Sequence, residues 1–238
     1  MMIFLGDIMR SILELGCIYS LLVAAVTMSS RIIAFDDLST EGSFAAGGAL
    51  AAVITLQGVS CVWAVAGAVV AGVIIGMVTG LLHTQLKINN LMSGIVVTTG
   101  LFSLNLKLAG SSITLAGETT FLDSLSSVIL QPWSHLIVLS CISGIVVAAL
   151  CWFLSTEVGF LLRATGSNPQ ILATLGKRVA GYKIMGLAIA NGITGLAGAL
   201  FVIHVGFFSI SGSIGILAVA LAGLIIGNVI CGNRMIGV

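Results

Sequence analysis

The chain has 238 residues, of which 58% are hydrophobic and 7% are charged, and its mean hydropathy is +1.23. A soluble domain carries about 25% charged residues, so this composition excludes an ordinary soluble protein. The formal net charge of +1 provides no basic footprint, so nucleic-acid binding is excluded as well. The composition predicts an all-α, polytopic helix bundle embedded in a lipid bilayer.

Apolar runs that approach the roughly 20 residues needed to cross a membrane recur along the whole chain. One further run, 43–56, is short: at about 1.5 Å per residue it reaches about 21 Å, against roughly 30 Å of hydrocarbon. It is a candidate half-helix. One transmembrane domain over 1–238 is therefore predicted, with about six or seven hydrophobic segments, some of them broken or half-helices. The full spans are expected at 12–35, 63–82, 91–108, 135–154, 184–205 and 216–230.

Charged residues between these runs predict the orientation. Segment 155–183 holds Arg163, Lys177, Arg178 and Lys183, four of the nine basic residues, and should face the cytoplasm. Arg10 favours a cytoplasmic N-terminus as well. Five apolar segments lie between Arg10 and segment 155–183, however, and an odd number of crossings would place these two regions on opposite sides of the membrane. The loop after 63–82 carries basic residues and suits the cytoplasm, whereas the basic-poor loop 109–134 suits the exterior. Either 43–56 is therefore not a full span, or the N-terminus lies outside.

The residues that precede the short run are rich in helix-capping groups. Asp36, Asp37 and Glu41, with two hydroxyl residues between them, come just before a run of small residues. Such groups accept hydrogen bonds from free helix N–H groups and complement the helix dipole. Two interpretations stay open: a capped loop at the membrane surface, or a broken helix that points its N-terminal amides into a central cavity. Serines and glycines at 206–215 open a second helix in a similar way, which points to a translocation path.

Segment 155–183 combines a turn signal with a helix start. The side chain of Asn168 can cap backbone N–H groups, and Pro169 suits the first helical position, where its missing donor costs nothing. A short helix along the membrane surface, flanked by basic residues, is therefore predicted. It would contact a cytoplasmic partner; the alternative is a basic loop that only sets the topology.

Three motifs together resemble the permeases of ABC transporters. From about residue 32 to residue 230, the chain is similar to the superfamily of branched-chain amino acid and ribose permeases. Within it, the chain most resembles permeases described as tryptophan or tyrosine importers. The motifs are DLSTEGSF at 37–44, LMSGIVVTTGLFSLNLK at 91–107 and RATGSNPQ at 163–170.

The resemblance implies a multi-pass subunit of an importer in the bacterial inner membrane. The chain would form the path for a small solute, such as an aromatic or branched-chain amino acid. Its partners would be a second permease copy, most simply as a homodimer, a cytoplasmic ATPase that binds ATP and Mg, and an extracytoplasmic solute-binding protein. The coupling loop of the family that contacts the ATPase maps onto segment 155–183, at Arg163, Ala164, Thr165, Gly166, Ser167, Asn168, Pro169, Gln170, Gly176, Lys177 and Arg178.

The two segments opened by Ser and Gly residues, with the span at 91–108, supply candidate residues of the translocation path. Their mixture of aromatic and hydroxyl groups permits an aromatic amino acid and equally another small polar solute. These candidates are Ser43, Phe44, Gly47, Gly48, Asn105, Phe207, Phe208, Ser209 and Ser211.

No enzymatic activity is expected of the chain itself. A P-loop needs a glycine five residues before Gly176 and a hydroxyl residue after Lys177, but Ile171 and Arg178 occupy these positions, so a separate subunit must hydrolyse ATP. An intramembrane protease could use Ser213 and a histidine, but the Gly-x-Ser-x-Gly elbow is absent. The five cysteines show no metal-site spacing, and neither a metal nor a cofactor is expected. The sequence is also compatible with a channel, a non-ABC transport subunit, and a sugar or nucleoside ABC permease.

The end of the chain departs from the family pattern. Similar permeases continue beyond about residue 230 with at least one more hydrophobic span, whereas this sequence ends at Val238. The permease domain is therefore expected to be shortened or truncated at its C-terminus.

Overall fold

The computed structural model describes residues 2–115, 133–174 and 176–231 of the chain. Within these residues, six helices are long and apolar enough to cross a membrane, which confirms the predicted all-α bundle. A π-helical turn, Met28–Ile32, extends the first helix, and a 3-10 turn, Ser211–Ser213, precedes the last. The helices are α1 (Met2–Thr27), α2 (Ser39–Leu56), α3 (Cys61–Gln85), α4 (Asn90–Ala109), α5 (Ser134–Ser155), α6 (Glu157–Ser167), α7 (Pro169–Thr174), α8 (Val179–Val205) and α9 (Ile216–Cys231).

Helix α8 forms the centre of the bundle. In its most apolar stretch 83% of the residues are buried, against 22% in α5. Helix α3 packs along α8 in the opposite direction: a Cβ added at Gly72 would fall on the carbonyl oxygen of Asn191, and one at Gly80 would lie 2.9 Å from the Cα of Ile184. The two backbones therefore touch, which is possible only because small residues line the contact.

Helix α2 packs against both α8 and α3 and runs parallel to α8. Gly47 contacts the backbone of Gly195, and Ser43 bonds to Asn191, so α2 begins opposite the middle of α8 rather than at its end. The helix starts at Ser39, earlier than hydropathy predicted, and its 18 residues are about 27 Å long. Thirteen of its 18 residues are buried. It is a central helix that starts inside the bundle.

The N-terminal part of α1 and segment 155–183 lie at opposite ends of the bundle. Glu14 Oε2 is 3.6 Å from Nε2 of His204, near the C-terminal end of α8, whereas the carbonyl of Ile32 abuts Gly166 in α6. If the basic segment faces the cytoplasm, the N-terminus therefore lies outside, so the expectations drawn from Arg10 and from segment 155–183 are incompatible in this fold. The Arg10 guanidinium pairs with Glu14 at 2.9 Å, so its charge is compensated within α1.

A small antiparallel sheet closes the end of the bundle near the C-terminus of α8. Strand β1 (Ser112–Thr114) pairs with β2 (Phe207–Ser209), and the Leu115 amide donates to the carbonyl of Gly206 at 2.9 Å. This places the start of loop 109–134 at the end opposite to segment 155–183. The rest of that loop, from 116 to 132, lies outside the described residues. So do Leu175 and the residues after Cys231, on which the expectation of a shortened C-terminus depends.

Candidate functional site: solute path and coupling surface

A buried polar network joins the start of α2 to the middle of α8. Asn191 Nδ2 donates to Asp37 Oδ2 at 2.6 Å, and Asn191 Oδ1 accepts from the Ser43 hydroxyl at 2.5 Å. Asp37 Oδ1 accepts from both the amide (2.8 Å) and the hydroxyl (2.5 Å) of Ser39. All four residues are buried. Because a buried carboxylate is tolerated only when its oxygens are bonded, these contacts fix the position of the helix start.

The capping chemistry predicted for this region is present, and the structure assigns it to Asp37. This side chain bonds to the amide two residues ahead, a local turn typical of aspartate. The Thr40 hydroxyl donates to the Asp37 carbonyl at 3.0 Å, and the Thr98 hydroxyl of α4 donates to the Leu38 carbonyl at 2.7 Å. Sequence reasoning missed Asn191. An amide inside an apolar span was the available signal, since intramembrane polar groups usually have a function.

A groove opens between α4 and the 3-10 turn that precedes α9, with the first turns of α2 at its base. Its two most polar residues are Glu41, whose Oε1 accepts from the Gly215 amide at 3.0 Å, and Asn105, whose Nδ2 donates weakly to the Gly42 carbonyl at 3.5 Å. Asn105 is 1% exposed, and its Oδ1 has no hydrogen-bond partner within the described residues. The remaining residues that line the groove are Ala45, Thr98, Phe102, Ile210, Ser213 and Ile214.

An aromatic cavity lies next to this groove, towards the C-terminal end of α8. Phe44 and Phe201 form part of its wall, with ring centroids 5.6 Å apart. Phe207 and Phe208 from β2 complete the aromatic lining. Ser213 lines both the groove and the cavity, so the two spaces are neighbours.

Six of the nine predicted path residues line one of these two spaces. Five of them line the aromatic cavity: Phe44, Gly48, Phe207, Phe208 and Ser209. Asn105 alone lines the groove.

The remaining path candidates do not line either space. Ser43 and Gly47 lie in the packed interior, where they contact α8, and Ser211 is exposed on the 3-10 turn. Glu41, which sequence reasoning treated only as a helix-capping group, lines the groove. Across 2–115, 133–174 and 176–231, no three His, Cys, Asp or Glu side chains cluster in a way that could hold a metal ion.

The predicted coupling segment forms two short helices joined by a tight corner. Helix α7 begins at Pro169 as expected, and Asn168 Oδ1 accepts from the Gln170 amide at 3.1 Å. Thr156 caps α6 through a bond from the Gly159 amide at 3.3 Å. The Arg163 side chain donates to the Leu154 carbonyl at 3.1 Å, which ties α6 to the end of α5.

One side of this corner faces outwards and the other is anchored in the bundle. Among the predicted coupling residues with described side chains, Thr165 is buried, and Ala164 and Gly166 are half-buried. Leu162 and Leu172, both fully buried, provide the apolar anchor. The exposed ones are Arg163, Ser167, Asn168, Gln170, Gly176, Lys177 and Arg178.

The anchored side leads directly to the start of α2. Gly166 lies against the carbonyl of Ile32, so α6 touches the π-helical turn that ends α1. Ile33 and Phe35, which follow that turn, share a buried apolar cluster with Leu162 of α6. Only one residue then separates Phe35 from Asp37. The exposed corner and the buried polar network are therefore connected by continuous packing.

Comparisons with known proteins identify relatives along most of the chain. The family model described as branched-chain amino acid transport system / permease component matches residues 8–238. A tyrosine transport system permease protein of Clostridioides difficile (strain R20291) is 33% identical over 218 residues, which cover 91% of this chain and 72% of that protein. An uncharacterized protein of Rickettsia prowazekii (strain Madrid E) is 30% identical over 230 residues, 96% of this chain and 80% of that protein.

A third relative matches only locally. A nucleoside ABC transporter permease protein of Lactococcus lactis subsp. cremoris (strain MG1363) is 36% identical over 88 residues, 36% of this chain and 28% of that protein. No solved structure gives a significant match. The family model covers nearly the whole chain, and six helices of the described residues can span a membrane. The chain therefore belongs to the branched-chain amino acid permease family of ABC transporters and is a multi-pass protein of the bacterial inner membrane.

Proposed function

We propose that the chain forms the path of an importer for an amino acid with an aromatic side chain. The relative from Clostridioides difficile, matched over most of both chains, is named a tyrosine transport system permease. One structural observation carries the proposal: continuous packing joins the exposed basic corner of α6 and α7 to the middle of the bundle. There, α2 begins beside a polar groove and an aromatic cavity.

The outer surface of the corner is the proposed contact for a separate ATPase, which would bind the ATP and Mg. Arg163, Lys177 and Arg178 are exposed there and give it positive charge. An ATPase dimer that closes on ATP needs a rigid projection on which to push. The cap on α6, the turn at Asn168 and the buried Leu162 and Thr165 make this corner rigid.

Movement of the corner would be transmitted to the path through the end of α1. Gly166 contacts the carbonyl of Ile32, which lies in a π-helical turn. Such turns are common at functional sites in helices. The chain then reaches Asp37, which is bonded to Asn191. We infer that a push on α6 shifts the start of α2, and with it the groove.

A second copy of the chain is the proposed cover of the groove. Glu41 lies close to Ser43, which is level with the middle of α8 and therefore deep in the membrane. Intramembrane carboxylates face a protein interior or a water-filled cavity rather than lipid. A two-fold-related copy would enclose the groove between two permeases and create such a cavity. Solute would arrive from an extracytoplasmic binding protein.

A nucleoside or sugar importer is the second candidate, because one relative is named a nucleoside ABC transporter permease. That similarity covers only 36% of the chain. The amino-acid proposal rests on a match that covers 91% of it.

Charge reversal on the exposed corner tests the coupling assignment. In the double variant Arg163→Glu/Lys177→Glu, reversal of the positive charge on the corner should prevent the ATPase from binding. The buried anchor should keep the chain folded. The measurement is co-purification of the ATPase with the tagged chain from native membranes, together with the elution profile of the chain. Lys107→Glu provides a matched control, since Lys107 is exposed on α4 at the opposite end of the bundle. Normal recovery of the ATPase with the double variant would contradict the assignment.

A further inference from the structure

The groove beside α2 contains hydrogen-bond acceptors that lack donors. Glu41 is partly exposed, and its one described hydrogen bond comes from the Gly215 amide at 3.0 Å. Among the described residues, no ion pair joins Glu41 to Lys, Arg or His, since the described ion pairs are those of Glu14 with Arg10 and His204. A carboxylate deep in the membrane without a basic partner has most of its charge uncompensated, which favours a cationic ligand.

Asn105 adds a second acceptor at the same place. Its Nδ2 faces the Gly42 carbonyl at 3.5 Å, which leaves Oδ1 as the atom without a donor among the described residues. A buried amide oxygen that has no donor destabilises the structure around it. Asn105 is 1% exposed and lines the groove, so a donor bound there could satisfy this oxygen. Two acceptors without a basic residue between them fit an ammonium group.

The neighbouring aromatic cavity determines what the ammonium group would be attached to. Ser213 lines both spaces, so the two are adjacent, and a ligand held at Glu41 would pass this residue to reach Phe44 and Phe201. Aromatic rings pack favourably against other rings in offset or tilted arrangements. A short link between an amine and an aromatic ring would allow one small molecule to occupy both the groove and the aromatic cavity.

From this geometry we infer a two-part recognition site for a primary amine that bears an aromatic ring. Glu41 and Asn105 bind the ammonium group, and Phe44, Phe201 and Phe208 surround the ring. This rests on the proposed import of an aromatic amino acid and deepens it, because it assigns to the membrane subunit a selectivity of its own. The residues recognise the amine and the ring, so the site should also bind an aromatic amine that has no carboxylate.

Equilibrium binding of tritiated tyramine to the purified full-length chain tests this site. Binding should be saturable, and unlabelled L-tyrosine should compete. The acid 4-hydroxyphenylpropionate, which has the same ring but no amine, should not compete. Butylamine, which has the amine but no ring, should compete only weakly.

Substitutions in the groove should weaken tyramine binding in a defined order. Glu41→Gln keeps an oxygen to accept from the Gly215 amide, so the fold is preserved, but it removes the charge and should raise the Kd by roughly tenfold or more. Asn105→Leu should also raise the Kd, whereas Asn105→Asp, which retains an acceptor, should not. Glu157→Gln makes the same chemical change as Glu41→Gln on exposed α6 and should leave tyramine binding unchanged.

Three results would overturn the inferred site: no saturable tyramine binding, equal competition by the acid, or unchanged Kd values in both Glu41→Gln and Asn105→Leu. Uptake of L-tyrosine by the assembled importer is measured separately. Uptake without tyramine binding would overturn the site and leave the proposed function intact. Amine-dependent binding without uptake would keep the site and contradict the proposed function.

Discussion

The core of α2, α3 and α8 and the outer helices α5 and α9 use apolar residues in different ways. In the core, glycines remove side chains where two backbones meet: a Cβ at Gly47, Gly72 or Gly198 would fall on a carbonyl oxygen of a neighbouring helix. In the outer helices, large side chains such as Trp152 and Ile225 are exposed, and a Cβ added at Gly144 or Gly227 would meet no atom within 4 Å. Close packing thus holds the core, while lipid or a partner must cover the outer surface.

The largest effect is expected from a side chain placed in the core contact. In Gly47→Leu, the new side chain would collide with the backbone of Gly195, which cannot move without separating α2 from α8. Overpacking of this kind costs about 1–3 kcal/mol or more, and here backbone atoms form the obstacle. We expect loss of monodisperse protein in size-exclusion chromatography and loss of transport.

The outer glycine Gly144 supplies the control. Gly144→Leu adds the same side chain to an exposed position of α5, where no atom lies within 4 Å of the new Cβ. It should elute like the unmodified chain. If both leucine variants behaved alike, the distinction between a glycine-packed core and a lipid-covered surface would be wrong.

A second, smaller effect is expected when the buried network loses one member. Asn191→Leu removes the donor to Asp37 Oδ2 and the acceptor of the Ser43 hydroxyl. Removing one partner of a buried hydrogen bond leaves the other group unsatisfied, which costs about 1–3 kcal/mol. The melting temperature of the purified chain should fall markedly.

A double-mutant cycle shows whether the loss of stability in Asn191→Leu comes from leaving the Asp37 carboxylate without its donor. Asp37→Leu/Asn191→Leu removes both partners, so the free-energy change should be smaller than the sum of the two single changes. Simple additivity would mean that Asp37 and Asn191 do not support each other. The start of α2 would then be held by glycine packing alone.

The smallest effect is expected at the exposed corner. Asn168→Ala removes the side-chain acceptor of the Gln170 amide, and loss of such a cap costs about 1 kcal/mol. Because the corner lies outside the core, we expect a nearly unchanged melting temperature and a weaker affinity for the ATPase. Thr99→Ala, which removes an exposed hydroxyl from α4, away from the corner, is the control. A large drop in stability from Asn168→Ala would show that the corner is part of the core.

Hydropathy predicted the spans well and the start of α2 poorly. The runs 63–82, 91–108 and 135–154 fall within α3, α4 and α5, with ends that differ by a few residues. The predicted start of 43–56 is late because Ser39, Thr40 and Glu41 are polar. They are helical here because α2 starts inside the protein, where Asp37 and the neighbouring helices satisfy their polar groups.

The candidate site was only partly predictable, because a sequence does not reveal which face of a helix meets which neighbour. The Asn168–Pro169 corner follows from local turn chemistry and was predicted correctly. The contacts of Asn191 and the groove position of Glu41 depend on how α2, α4 and α8 pack, which the local sequence does not encode, even though an amide in an apolar span marks Asn191 itself. Gly47 and Gly48 are adjacent in sequence, yet Gly48 lines the aromatic cavity and Gly47 meets the backbone of α8.

ATP-driven uptake of labelled L-tyrosine tests the proposed function most directly. Proteoliposomes would contain the chain, its ATPase and the solute-binding protein. We expect tyrosine to accumulate only with ATP, and the Arg163→Glu/Lys177→Glu variant to lose this accumulation. A complete complex that hydrolyses ATP but takes up no aromatic amino acid, or that takes up a nucleoside instead, would contradict the proposal.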